Sequence, residues 1–266
     1  MLPFDKKISE PDAQVSGAGG ATLTHAVWIS NPNSFIAELQ KTLQQNGYAH
    51  LKDEFSLDEY ERIAGHLGTV FLINEIQVLD TTRTKDVASN SGFGFHTDSF
   101  CANFVSWYCV TPGNDDEPTL LLDCADLTDH LSPSACRVLS EMQMPARAPD
   151  VATPILAVTD RVRLNFIPWR PIRIESQEQV AALKEFKDFI SARSAQPGVV
   201  VAIKLGKGEV LIIDNHRILH GRPPLKEDTP RHFKRFWISE DPGEKERWVE
   251  ALRRQAQVAS SRSSHI

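Results

Sequence analysis

A chain of 266 residues, 41% hydrophobic and 24% charged, is long enough to bury a sizeable core as one large domain or two small ones. A net charge of −6 offers no electrostatic footprint for nucleic acid or an anionic membrane surface, and no apolar run approaches the roughly 18 to 20 residues that cross a bilayer. The opening "MLPFDKKISEPDAQ" lacks the apolar stretch of a secretory signal, so a cytoplasmic protein is expected.

Residues 1–22 are rich in Gly and Ala without periodicity and read as a flexible arm. "NSFIAELQKTLQQNG" places Phe35, Ile36, Leu39 and Leu43 on one helical face, with Gly47 as its stop. "YAHLKD" reads as a strand, and "SLDEYERIAGHLG" as a helix opened by a Ser56–Glu59 capping box and closed at Gly68. Strands are expected at "EIQVLDT", "FVSWYCV", "PTLLLDC" and "RVRLNFI". "SPSACRVLSEM" is a helix capped by Ser132 with Pro133 at its first position. "SQEQVAALKEFKDFISAR" is an amphipathic helix with Val180, Leu183, Phe186 or Lys187, and Ile190 in register. Three strands follow, "GVVVAIKL", "GEVLIID" and "HFKRFWI", then a surface helix "EKERWVEALRRQ", whose end together with a tail makes up 251–266. The order lacks the strict strand–helix alternation of a parallel sheet and favours a β-sandwich or barrel with helices outside, as one domain over 23–250.

Chemistry gathers at three stretches. The four cysteines (Cys101, Cys109, Cys124, Cys136) show no C-x-x-C spacing and read as small buried hydrophobes, so metal ligands are sought among His, Asp and Glu. In "GFGFHTDSF", His96 and Asp98 stand two apart and, on a strand, would share one face. Nine histidines and 35 acids in 266 residues give about one such pair by accident, so it carries little alone. "GEVLIIDNHRILHGRPP" adds His216 and His220 after an apolar strand, and either would complete two imidazoles and a carboxylate, a set that leaves open positions suited to Fe(II) oxygen chemistry. In "TPRHFKRFWIS", a strand would turn Arg231, Phe233, Arg235 and Trp237 to one face. Two arginines alternating with aromatics are costly to bury unless each meets an anion, and guanidinium forks suit carboxylates.

The series H-x-D, D-N-x-R-x-x-H-G-R and R-x-x-x-R resembles the Fe(II)/2-oxoglutarate-dependent dioxygenases of the taurine dioxygenase and clavaminate synthase-like branch, from about "NSFIAEL" to "RFWIS". The resemblance implies a mainly β fold with flanking helices, a double-stranded β-helix or jelly roll. It implies His96, Asp98 and His220 as the catalytic metal ligands, and a structural role for His216. Arg231 would grip the far carboxylate of 2-oxoglutarate with Thr119, although "DEPTLLLD" lacks the glycines that usually precede that threonine. Arg235 would meet an anionic substrate, and Arg222 would form a structural ion pair.

With Fe(II), 2-oxoglutarate and O2, the implied reaction releases succinate and CO2 and oxidises an unactivated C–H of a small carboxylate or amino-acid-derived metabolite. Hydroxylation is the default because Asp98 occupies the position that halogenating relatives vacate for chloride; desaturation, cyclisation and epimerisation stay open. "TRTKDVASNSGFG" and "FIPWRPIRIES", with Trp169, Arg170 and Arg173, are lid or pocket candidates as well as plain surface loops. Two readings of other classes use the same residues: a zinc hydrolase, which leaves Arg231 and Thr119 without a task, and a non-catalytic jelly-roll binding protein. No nucleic-acid or membrane partner is expected, and the oligomeric state stays open.

Overall fold

A computed structural model describes residues 23–77, 91–114, 117–145, 152–226 and 228–263. The expected arm therefore lies outside the described residues, as does most of "TRTKDVASNSGFG". The first part of the chain runs β1 (Leu23–Thr24), α1 (His25–Ser30), α2 (Pro32–Asn46), β2 (Tyr48–Lys52), α3 (Leu57–Leu67) and β3 (Thr69–Gln77). Next come β4 (Phe93–His96), β5 (Phe104–Thr111), β6 (Thr119–Asp123), α4 (Leu127–His130), α5 (Pro133–Glu141), β7 (Gln143–Met144), β8 (Thr153–Pro154), β9 (Leu156–Val158) and β10 (Val162–Leu164). The chain ends with α6 (Gln177–Ser194), β11 (Val201–Ile203), β12 (Val210–Asp214), β13 (Ile218–Arg222), β14 (His232–Ser239) and α7 (Glu244–Ser263).

Two sheets face each other. The larger has the order β1-β2-β12-β5-β14-β3 and the smaller β11-β6-β13-β4, with short ribbons β7/β8 and β9/β10 beside them. The side chains between the sheets form one core: Val105, Trp107 and Cys109 of β5, Leu211 and Ile213 of β12, and Phe233 of β14 meet Leu121 of β6 and Ile218 of β13. Alternate residues of the same strands face outward, where Val210, Ile212, Phe236 and Ile238 pack under α2 and α3. On the other side, Leu122 and Leu219 pack under α5 and α6. Strands buried on both faces read as unbroken apolar runs such as "VLII" instead of alternating ones.

The expected helix ends are as drawn. Asn46 gives way to Gly47 in the left-handed conformation at φ 74°. Ser56 and Glu59 form the reciprocal capping box, and Ser132 and Ser176 cap α5 and α6. Four expectations need correction. Val180 is 43% exposed, because the buried stripe of α6 runs through Ala182, Leu183 and Phe186. β3 starts at Thr69, well before "EIQ". α7 is not wholly superficial, since Trp248 packs against Phe71 and Trp237 in the inter-sheet core. Of the cysteines, Cys109 and Cys124 are buried, while Cys101 and Cys136 are half-buried; all four are free thiols. Among the described residues no helix is long and apolar enough to cross a membrane.

Candidate active site

The site forms at one end of the inter-sheet space, where β4 pairs with β13 in a register that sets His96 directly opposite His220. Gly221 permits the approach: a Cβ there would lie 2.7 Å from the Phe93 carbonyl oxygen, closer than side-chain atoms come to backbone. The two imidazole centroids are 4.2 Å apart. Asp98 does not sit on the strand, as the i, i+2 argument assumed; β4 ends at His96 and Asp98 follows in a loop. Its carboxylate reaches the pair all the same, with Oδ2 4.0 Å from His220 Nε2. Donor atoms of His96, Asp98 and His220 all lie within 4.8 Å of one another, and all three residues are buried.

The proton positions suit metal binding. Gly94 carbonyl oxygen lies 2.8 Å from His96 Nδ1, which must therefore carry the hydrogen and leave Nε2 with its lone pair toward the cluster. Burial pushes the His96 imidazole below its usual range, against the pull of Asp98. Burial and the neighbouring His96 hold His220 well below it, so both rings are neutral donors near pH 7. Burial opposes ionisation of Asp98, but the Arg235 guanidinium, then His220, His96 and Trp237, outweigh it and hold the carboxyl below the ordinary range. Arg235 Nη1 donates to both Asp98 oxygens at 2.9 and 3.0 Å, and Trp237 Nε1 donates to Oδ2 at 3.1 Å. An ionised carboxylate has about four lone-pair sites, so these bonds leave capacity for an ion.

The pocket beside this cluster is partly open to solvent and includes Phe93, Trp107, Thr119, Arg222, Arg231 and Arg235 in its walls. Arg231 precedes β14, is 7% exposed and donates from Nη2 to Thr119 Oγ1 at 3.0 Å. Its Nη1 is buried with no hydrogen-bond partner among the described residues. Burial pushes this guanidinium down to about 10, with Glu117 opposing. A buried cation with an unsatisfied donor beside a hydroxyl is a seat for a carboxylate. Arg222 lines the same pocket, its guanidinium 4.8 Å from the Phe93 ring centre. The Trp169 ring stands edge-on to His96 at 4.6 Å and to Phe93 at 5.4 Å, whereas Arg173 is far out in solvent beside Glu175.

His216, the other candidate in "DNHRILH", is kept from the cluster. Its Nε2 donates to the Phe100 carbonyl at 2.8 Å, and burial pushes its ring down to about 4. Sequence reasoning missed three neighbours: Trp237 as a donor to Asp98, Glu117 behind Arg231, and Asn215 under the Asp98 loop. Only "D-N-H" carried a signal, a polar trio directly after an all-apolar strand.

A jelly roll that gathers two imidazoles and one carboxylate beside a deep guanidinium defines a class, the non-haem iron oxygenases, whose metal keeps open positions. Residues 12–237 match the family described as taurine catabolism dioxygenase TauD, TfdA family, and the chain belongs to that family. The protein is thus an oxidoreductase of the 2-oxoglutarate-dependent dioxygenase type, as the motif series implies. No curated protein matches the sequence. Among solved structures it is similar to asparagine oxygenase with Fe(II), 2S,3S-3-hydroxyasparagine and succinate (TM-score 0.64, 17% identity, 81% of this chain and 82% of that one). It is also similar to the non-haem iron oxygenase OrfP with Fe and α-ketoglutaric acid (TM-score 0.61, 15% identity, 81% and 85%). At these identities the likeness carries the fold.

Proposed function

We propose that the enzyme hydroxylates an unactivated C–H of a free amino acid or similarly small carboxylate, with His96, Asp98 and His220 as iron ligands. Arg231 and Thr119 take the far carboxylate of 2-oxoglutarate, and Arg235 faces the substrate's anion. The donor set fits Fe(II): two neutral imidazoles and one ionised carboxylate within 4.8 Å of one another. When bound, the metal with 2-oxoglutarate and O2 supplies the oxidant for the C–H bond. The chain's part is positional. Arg231 fixes one end of the co-substrate, Trp107 and Phe93 exclude water beside the histidines, and the pocket walls bring one C–H to the reacting position.

The observation that carries the substrate class is a second buried guanidinium in the pocket wall, Arg235, beside the donor cluster. Guanidinium forks match carboxylates, and an amino acid carries one. Asparagine oxygenase and OrfP are solved with a hydroxylated asparagine and a hydroxylated arginine, which agrees with this class. Arg235 retains capacity for the substrate: Nη1 is engaged by Asp98, whereas Nε is buried without a partner among the described residues.

The test has two stages. Anaerobic Fe(II) and 2-oxoglutarate should give the weak visible charge-transfer band of their chelate, lost in Arg231→Ala. A panel of amino acids and small acids should then contain compounds that stimulate succinate release. Bound iron without the band would favour a hydrolase or a binding protein, and stimulation only by compounds that lack a carboxylate would refute the carboxylate class.

A further inference from the structure

Asp98 is the one donor of the three outside a strand ladder, so something else must fix its backbone. Arg235 and Trp237 hold the carboxylate tip. Before it, Thr97 is tied to Phe166 by its N–H and its hydroxyl, and at Asp98 and the residues that follow the main chain is held by Asn215, wholly buried in the turn between β12 and β13. Asn215 Oδ1 accepts the Asp98 N–H at 2.8 Å. Its Nδ2 donates to the carbonyls of Ser99 at 2.9 Å and Ala102 at 3.0 Å, and its own N–H donates to the Asn103 carbonyl at 2.9 Å. The next residue, His216, donates to the Phe100 carbonyl.

These partners fix the amide's orientation, because a backbone N–H only donates and carbonyls only accept. One acceptor and two donors at that reach describe asparagine alone: aspartate has no donor when ionised, and glutamine is longer by a methylene. The turn runs directly into β13, which carries His220. One side chain therefore ties the loop of one donor to the root of the strand that bears another.

We propose that Asn215 is a positioning residue of the metal centre, holding Asp98 at the distance and angle from His220 that a divalent ion requires. This rests on the reading of His96, Asp98 and His220 as ligands, and the test separates the two. Co(II) alone is titrated anaerobically into wild type, Asn215→Ala, Asn215→Asp, Asp98→Ala and Ile212→Val, with circular dichroism of each. Partners that orient ligands typically change metal affinity 10- to 100-fold, so both Asn215 variants should raise the Co(II) Kd by about that factor while keeping the native spectrum. Ile212→Val, a core change in β12 remote from the loop contacts, should lower the unfolding midpoint and leave the Kd within about twofold. Folded Asn215 variants with wild-type Kd would overturn the positioning role. So would loss of fold in both Ala and the volume-matched Asp variants, since the residue would then be holding the chain together. If Asp98→Ala leaves the Kd unchanged, the ligand assignment itself fails, whatever Asn215 does.

Discussion

Replacing Arg231 with Met should move stability and co-substrate affinity in opposite directions. Burial lowers this guanidinium from its usual range to about 10, which corresponds to about 3 kcal/mol against keeping the charge in the folded protein. Methionine removes that penalty. It also removes the bond to Thr119 and the stacking of the guanidinium 4.5 Å from the Phe233 ring centre, about 1 to 3 kcal/mol together. The ligand-free variant should therefore be as stable as wild type within about 1 kcal/mol, or more stable, by urea unfolding. Binding should suffer, because two charge-assisted bonds to a carboxylate are worth about 3 kcal/mol or more, at least a hundredfold in Kd. Anaerobic titration of the Fe(II) complex with 2-oxoglutarate reads that change. A loss of more than about 3 kcal/mol in the ligand-free protein would show Arg231 to be a structural ion, and an unchanged 2-oxoglutarate Kd would refute the seat.

Three further outcomes are expected. His216 has a folded pKa of about 4 against about 6.5 unfolded, so the unfolded chain binds the extra proton and stability is lost as pH falls from 6.5 towards 4. His216→Gln, which can still donate to the Phe100 carbonyl, should lack up to about 3 kcal/mol of that acid loss in urea melts at pH 7 and pH 4 while succinate formation stays largely intact. Trp237→Phe removes the indole bond to Asp98 Oδ2 and should weaken Fe(II) binding roughly tenfold by calorimetry, with the far-UV spectrum unchanged. Burial raises the Glu117 carboxyl, but the Thr229 hydroxyl and the Lys226 and Asn114 amides outweigh it and hold it below the usual range. Its stabilising share is therefore present above the unfolded pKa and lost as pH falls through the folded one. Glu117→Gln should cost about 1 to 3 kcal/mol at pH 7, flatten that acid limb, and raise the KM for 2-oxoglutarate because the Thr229–Arg231 segment loosens.

What was legible in the sequence follows from which forces leave periodic or chemical marks. Helix ends were marked by local chemistry, Gly47 and the Ser56–Glu59 box, that no tertiary contact overrides. That His96, Asp98 and His220 come together, with Arg231 buried nearby, was foreshadowed by uncommon residue types standing inside or directly after apolar runs. β13 was not, since "ILHGR" has neither alternation nor length; it is a strand because β6 and β4 flank it on both sides. α1 likewise has no side-chain cap, and its one buried residue is Trp28. The loop position of Asp98 escaped for a related reason: in place of a strand ladder, its N–H meets the Asn215 side-chain amide, and a hydrogen-bonding side chain has no period.

The spacing R-x-x-x-R gains its meaning from β14. This strand lies between β5 and β3, paired along its length with both, so its side chains cannot shift independently. Arg231 at its entry reaches Thr119 on β6 of the opposite sheet, while Arg235 reaches Asp98 in the loop after β4. One rigid element thus spaces the Arg231 guanidinium from the Asp98 carboxylate, and the bulge between His232 and Phe233 falls between the two arginines. On the far face His232 and Lys234 both pair with Glu75 of β3, which anchors the strand against rotation about its axis. A one-residue slip of β14 would exchange the two faces, turning His232 and Lys234 to the pocket and both guanidiniums away from it. Phe233 opposes that slip, because it would leave the inter-sheet core for the half-buried row of His232 and Lys234. The packing that stabilises the fold is in this way the same packing that sets the distance between the proposed co-substrate seat and the proposed metal carboxylate.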